Sequence, residues 1–381
     1  MSTDRFDSRP PESIPPSVLW RIPCLDGLRA ISIALVLFSH VAEKIPALAG
    51  RSHVDLGNFG VRVFFVISGY LITTLLLEER ARSGAISLAH FYVRRAFRIF
   101  PAFYAFIAVV VAAALFGAVE LREHDLRAAI TYTMNYHPDR GWTLGHLWSL
   151  SVEEQFYLAW PLVVATARRR TALRVALAVI VVAPLIRVLY AKVVPSHLAL
   201  VGESFETVAD TLASGCALAL LRDRFTEIPL LAKVQSHALA PLGFGALAML
   251  AHAQHDRIAF SFTLGETITN TMIALAIDSC LRTSTSLFGR LLESRPFTFV
   301  GQLSYSLYLW QQPFLARDHE SWTTSFPQSL VLIAAGALAS YYLVEKPMLT
   351  MRRRAERSGP VARFLRFVAS RRVAPADSVA K

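Results

Sequence analysis

The sequence predicts an all-α polytopic transmembrane helix bundle, and three observations carry that prediction. Of the 381 residues, 54% are hydrophobic and only 18% are charged, against about 25% charged in an ordinary soluble domain. Mean hydropathy is +0.42. The apolar residues gather in repeated runs of roughly 17–22, the length that crosses a hydrocarbon core of about 30 Å.

Ten runs are long enough to be read as spans: 28–45, 59–77, 98–117, 148–167, 174–191, 205–221, 238–253, 261–281, 297–315 and 328–345. A further segment, LRAAITYTMNY at 126–136, is too short and too polar to cross, and reads as a re-entrant or interfacial helix. Loop charges set the orientation. Of the 39 lysines and arginines, 27 fall on one side of this ten-span arrangement and 8 on the other. Basic loops stay in the cytoplasm, so both termini are expected inside. Residues 1–21, with the stretch RPPESIPPS, read as a disordered cytoplasmic segment without a cleavable signal. Residues 22–352 form the membrane domain, and 353–381 a basic cytoplasmic tail.

The net charge of +11 follows from these loop arginines and does not call for a nucleic-acid partner. Cys24, Cys216 and Cys280 lie far apart and suggest neither a disulfide framework nor a metal site. The chain has no phosphate-binding glycine loop, dinucleotide fingerprint, GxSxG elbow or zinc spacing. No bound cofactor or metal is expected.

The first span, in LDGLRAISIALVLFSH, carries Arg29 and His40. Eleven residues make three helical turns plus about 20°, so both project from one face, about 16 Å apart along the axis. Ionisable groups in hydrocarbon are costly and mark functional paths. By the same rise arithmetic, His40, Glu153, Asp210 and Gln311 all fall in the outer half, with Ser304 and Tyr305 near the midplane. A shared polar cavity is the cheapest arrangement for them. A histidine beside a carboxylate there is suited to general-base work. Arg29, Arg94, Arg95 and Arg98 sit at the inner edge, where guanidinium groups bind phosphates. A structural network between helices, or simple interfacial anchoring, accounts for the same residues without chemistry.

Taken in order, LDGLRAISIALVLFSH, GVRVFFVISGYLIT at 60–73, RRAFRIFPAFY at 94–104, LWSLSVEEQFYLAWPL at 147–162, the stretch from Asp210 to Gly215, GQLSYSLYLWQQPF at 301–314 and YYLVEKP at 341–347 resemble the acyltransferase-3 family of integral membrane O-acyltransferases. The resemblance runs from about residue 22 to 352 and is of the stand-alone type, without a C-terminal hydrolase-like domain. It implies transfer of an acyl group, usually acetyl, from cytosolic acetyl-CoA or another acyl-CoA to a hydroxyl of an extracytoplasmic or lipid-linked carbohydrate, at the inner (cytoplasmic) cell membrane. It implies His40 as the catalytic histidine with Glu153 in support, and Arg29, Arg95 and Arg98 as donor-binding residues. Ser68, Tyr70, Asp210, Tyr305 and Gln311 are candidates for the channel or acceptor site. Many relatives carry histidine where Gln311 stands. Arg62 is the one cation placed to meet a succinyl donor. Trp142, His146 and Trp148, in and just after the longest outer loop, suit either sugar stacking or an interfacial belt. A proton-coupled transporter or flippase is the competing class, since it too uses intramembrane His, Glu and Asp. The paired broken helices of such carriers are not evident.

Overall fold

The computed structural model describes residues 22–45, 54–193, 200–254, 257–316 and 321–357. The expected disordered N-terminus and most of the basic tail lie outside the described residues. Among those described, regular structure is entirely helical. The first three helices are long: α1 (Pro23–Ala42), α2 (Leu56–Ser83) and α3 (Leu88–Leu115). Each start has a local cause. Pro23 opens α1 at a position where no amide donor is required. The Asp55 carboxylate accepts from the Asn58 amide at the head of α2, and Ser87 caps α3 in the same way. Gly84, at φ 73°, ends α2 in the left-handed region that glycine enters without strain.

The segment 126–136 forms no helix long enough to be a candidate span. It forms α4 (Asp125–Ile130) and a single 3₁₀ turn at Met134–Tyr136, followed by α5 (Trp142–Gly145). Then come α6 (Leu147–Thr166), α7 (Arg169–Val193), α8 (Phe205–Phe225), α9 (Pro229–Gln235) and α10 (Ala240–His252). The short α11 (Ile258–Phe260) passes through a π turn, Ser261–Gly265, into α12 (Glu266–Arg282). The chain closes with α13 (Leu287–Leu292), α14 (Arg295–Phe314), α15 (Gln328–Ala339), a second π turn at Ser340–Glu345, and α16 (Lys346–Arg357).

Every one of the ten segments expected to span is helical, but ten do not pass as spans by length and apolarity. Five do among the described residues: α1, α2, α3, α7 and the run Gln328–Arg354. A sixth joins them if α9 and α10, bent by 93°, count as one. The shortfall has a physical reason. Helix α6 carries Glu153, Glu154 and Gln155, α8 carries Glu206 and Asp210, and α14 carries Gln302, Gln311 and Gln312. These polar groups lower the apparent apolarity of helices that turn them inward. The outward faces are apolar. Leu177, Val181, Leu185 and Leu189 make an exposed stripe on α7 at four-residue spacing, a surface suited to hydrocarbon.

Helix α2 is central, packing along α8 and α1, while α1 also packs along α14. The α2–α8 crossing is made by Gly69 and Gly215. A Cβ on Gly69 would strike the Leu212 carbonyl, and one on Gly215 the Val66 carbonyl. Small residues thus bring two backbones into contact, the packing used where lipid removes the hydrophobic drive between helices.

Candidate active site

A cavity of about 410 Å³ opens where the far end of α1 meets the first turn of α2, the α4–α5 loop and the end of α14. His40, Asn58, Trp142, His146, Tyr308 and Gln312 line it. His40 Nδ1 lies 3.0 Å from Gln311 Oε1. A carbonyl oxygen only accepts, so the Nδ1–H donates, and in the neutral ring the lone pair sits on Nε2. The Trp142 and His40 rings meet in a T-shaped pair, with centroids 5.3 Å apart at 74°.

The next residue on α14 holds the other side of the cavity. Trp142 Nε1 donates to the Gln312 backbone carbonyl at 3.0 Å. Gln312 Oε1 accepts from the His146 backbone amide at 3.0 Å and lies 2.9 Å from His146 Nδ1. His146 Nε2 faces the Leu309 carbonyl at 3.1 Å. Burial pushes the His146 imidazole down to about 3, against the pull of the Gln312 and Leu309 bonds. It is therefore neutral under ordinary conditions, and its single N–H serves one of the two oxygens. Tyr308 donates to the His146 carbonyl at 2.9 Å. The loop before Trp142 is stapled by the buried Asp125 carboxylate. Asp125 accepts from the Arg122 amide at 2.8 Å and the Gly141 amide at 3.1 Å, and meets His137 Nε2 at 3.1 Å. Arg140 pairs with Glu203 at the rim. Burial raises the Glu203 carboxyl even with that cation beside it.

Below this cavity a second group of expected residues comes together between α1, α2, α3 and α6. Ser68 Oγ donates to Glu153 Oε1 at 2.7 Å. One turn further along α6, the Arg95 guanidinium carbon stands 3.4 Å from the centroid of the Tyr157 ring. Arg29 lies within electrostatic reach of Arg95, Arg98 and Tyr157, and its own ion partner is Asp26 at 3.5 Å. The Arg95 Nε is buried without a hydrogen-bond partner among the described residues. Arg98 is exposed and lies near Glu345 of the second π turn.

The expectation of one shared cavity needs correction, and the remaining expected residues are placed by their own bonds. His40, Glu153, Asp210 and Gln311 do not line one cavity: Glu153 is bonded by Ser68, and Gln311 meets His40. Asp210 is fully buried elsewhere, paired with Arg187, which also meets Glu266 at 3.0 Å. Tyr70 lies apart from His40, accepting from Arg222 at 3.4 Å beside the Arg222–Asp278 pair. Tyr305 ties α14 to α3 by donating to the Ile99 carbonyl at 3.0 Å. Rise arithmetic fixes a residue's depth but not its azimuth, and azimuth decides which helix it faces. Nor is Arg62 free to meet an anionic acyl group, since Glu266 matches it at 3.0 Å.

Sequence reasoning missed the roles of Gln312, Asp125, Arg187 and Glu266. Arg187 carried a legible signal, an arginine within the apolar run VVAPLIRVLY. No metal-holding group of three His, Cys, Asp or Glu occurs among the described residues.

Residues 22–345 match the family model described as "Acyltransferase domain" (Acyl_transf_3). O-acetyltransferase OatA of Staphylococcus aureus (strain NCTC 8325 / PS 47) is 30% identical over 357 residues, covering 86% of this chain and 57% of OatA. The "Putative peptidoglycan O-acetyltransferase YrhL" of Bacillus subtilis (strain 168) is 29% identical over 364 residues, covering 86% of this chain and 55% of YrhL. The chain thus spans little more than half the length of these relatives. No solved structure matches.

Proposed function

The chain belongs to the acyltransferase-3 family, and from that premise we propose that it moves an acyl group, acetyl by preference, from acyl-CoA to a hydroxyl of a carbohydrate. One observation supports this most. A tautomer-fixed histidine at a polar cavity, His40 held by Gln311, stands on the same helix as Arg29, which faces Arg95 and Arg98.

In this reading the arginine end is cytoplasmic, and the ten helices predicted as spans cross the inner membrane with both termini inside. Coenzyme A is cytosolic and carries phosphates, which guanidinium groups bind in forked geometry. Arg29, Arg95 and Arg98 take that role, and the unpartnered Nε of Arg95 is a donor available to it. The acyl thioester reaches past Tyr157 and the Ser68–Glu153 pair toward the His40 cavity.

At that cavity His40 Nε2 removes the proton from the acceptor hydroxyl as its oxygen attacks the thioester carbonyl. The tetrahedral adduct collapses, the C–S bond breaks, and the thiolate leaves and regains a proton from the imidazolium. General-base assistance of this kind contributes about 10²–10⁴-fold. Gln311 supplies orientation rather than charge, because a neutral amide fixes the ring without holding a proton itself. Glu153 acts at a distance from His40, through Ser68. The glycan class of acceptor is in keeping with the name of YrhL and with Trp142 and Trp148 on the cavity wall, where flat indoles suit sugar rings.

The test is stoichiometry. Membrane vesicles with the arginine face outward are given acetyl-CoA labelled on the acetyl group. One free thiol per label entering the glycan fraction is the expected result. Gradient-driven movement of a solute with no consumption of donor would instead make the chain a carrier.

A further inference from the structure

Two neutral amides on the wall of the His40 cavity, Asn58 in the first turn of α2 and Gln312 near the end of α14, are each held by the carbonyl oxygen. Asn58 Oδ1 accepts from Arg62 Nε at 2.8 Å. Gln312 Oε1 accepts from the His146 backbone amide at 3.0 Å. A guanidinium and a peptide N–H only donate, so each partner identifies the oxygen and leaves the NH2 group on the other branch. Neither Asn58 Nδ2 nor Gln312 Nε2 makes a hydrogen bond among the described residues. Gln312 is only 6% exposed, and an amide donor buried to that extent is costly until something accepts from it.

The other neutral donors of this wall are already engaged. Trp142 Nε1 donates to the Gln312 carbonyl, and the Tyr308 hydroxyl to the His146 carbonyl. The single N–H of the His146 ring faces either Gln312 Oε1 or the Leu309 carbonyl. The formal charges on the wall cancel. Arg140 pairs with Glu203, and Arg122 is offset by Asp55, both of them exposed. A negative charge that develops inside the cavity therefore meets no net cation, but it does meet two aimed amide groups. Attack on a thioester carbonyl produces that charge, because the π electrons move onto the carbonyl oxygen. Side-chain amides fixed in place beforehand stabilise such an oxygen without reorganising. Successive residues of α14, about 100° apart around the helix, then serve the two halves of one step: Gln311 sets the base and Gln312 carries a donor.

We propose that Gln312 Nε2 and Asn58 Nδ2 are catalytic residues that donate hydrogen bonds to the thioester carbonyl oxygen as it becomes negative. His40 Nε2 takes the acceptor proton in the same step. On collapse the oxyanion pair re-forms C=O, the C–S pair leaves with sulfur, and the thiolate takes its proton from the imidazolium. The inference rests on the transferase reading above, and its test separates the two. Gln312→Glu and Asn58→Asp each keep the oxygen their partner needs and replace the NH2 group with an oxygen. Gln312→Met removes the donor without adding charge. Purified full chain in lipid nanodiscs receives acetyl-CoA labelled on the acetyl group and soluble peptidoglycan fragments, both varied, at equal amounts of acyl-CoA-binding protein. The expected result is a fall in kcat of about 10²–10³-fold for each variant, with both KM values little changed. An unchanged kcat, or a raised acceptor KM with kcat intact, would overturn the proposal and, in the second case, make the amides sugar-binding groups. Failure of the wild type to move any label would overturn the transferase reading and this proposal with it.

Discussion

His40 and Gln311, 271 residues apart in the chain, share one hydrogen bond of 3.0 Å between Nδ1 and Oε1. That bond joins α1 to α14 and leaves the histidine one defined tautomer. It links the architecture to the chemistry, because the packing of α1 along α14 is what sets the ring.

Gln311→Leu keeps the volume and removes the acceptor. A neutral hydrogen bond contributes about 0.5–1.5 kcal/mol, and the loss falls on the ring's orientation in the transition state. We expect kcat to drop about tenfold with the KM for acyl-CoA unchanged. Steady-state kinetics on the purified variant check this; an unchanged kcat would detach Gln311 from the reaction.

His146 shares the cavity but not the proton chemistry. Its imidazole is pushed down to about 3 by burial, so it is neutral on both sides of the pH 5–8 range and adds no titration there. His146→Gln is expected to lower kcat by disturbing Gln312 while leaving the acid limb of the pH–rate profile where it was. A shift of that limb by a full pH unit would mean that His146 carries the proton.

Arg95 stacks on Tyr157, and lysine cannot reproduce a planar fork. Arg95→Lys keeps the charge, yet we expect the KM for acyl-CoA to rise about tenfold and the acceptor KM to stay. Donor titrations at saturating acceptor measure it.

Arg187 is buried among Asp210 and Glu266. Removing one member of such a cluster strands its partner and costs about 3–5 kcal/mol. Arg187→Met should therefore lower thermal stability sharply, and Arg187→Met with Asp210→Leu should recover part of the loss. Tm by intrinsic fluorescence in detergent decides it.

Much of the fold was legible because apolar run length and helical period are local properties. All ten predicted segments are helices, and 126–136 forms only a short helix and a single 3₁₀ turn, as its polarity suggested. The Arg29–His40 face was legible for the same reason, since both lie on one helix. The pairings between helices were not. Depth placed Asp210 beside His40, but α8 turns Asp210 toward Arg187 of α7. The α2–α8 contact through Gly69 and Gly215 was not legible either, because a glycine in a helix does not name the helix that approaches it. The Gln312–His146 pairing left no local trace, as a glutamine at the end of a helix has many ordinary uses.

The most direct measurement compares wild type with His40→Ala at equal folded amount, following label from acetyl-CoA into glycan and the release of free thiol. The account predicts that transfer falls by about 10²–10⁴-fold, the share of general-base assistance, while binding of acyl-CoA at the arginine end persists. Full transfer by His40→Ala would contradict it, leaving His40 a structural residue and moving the base elsewhere.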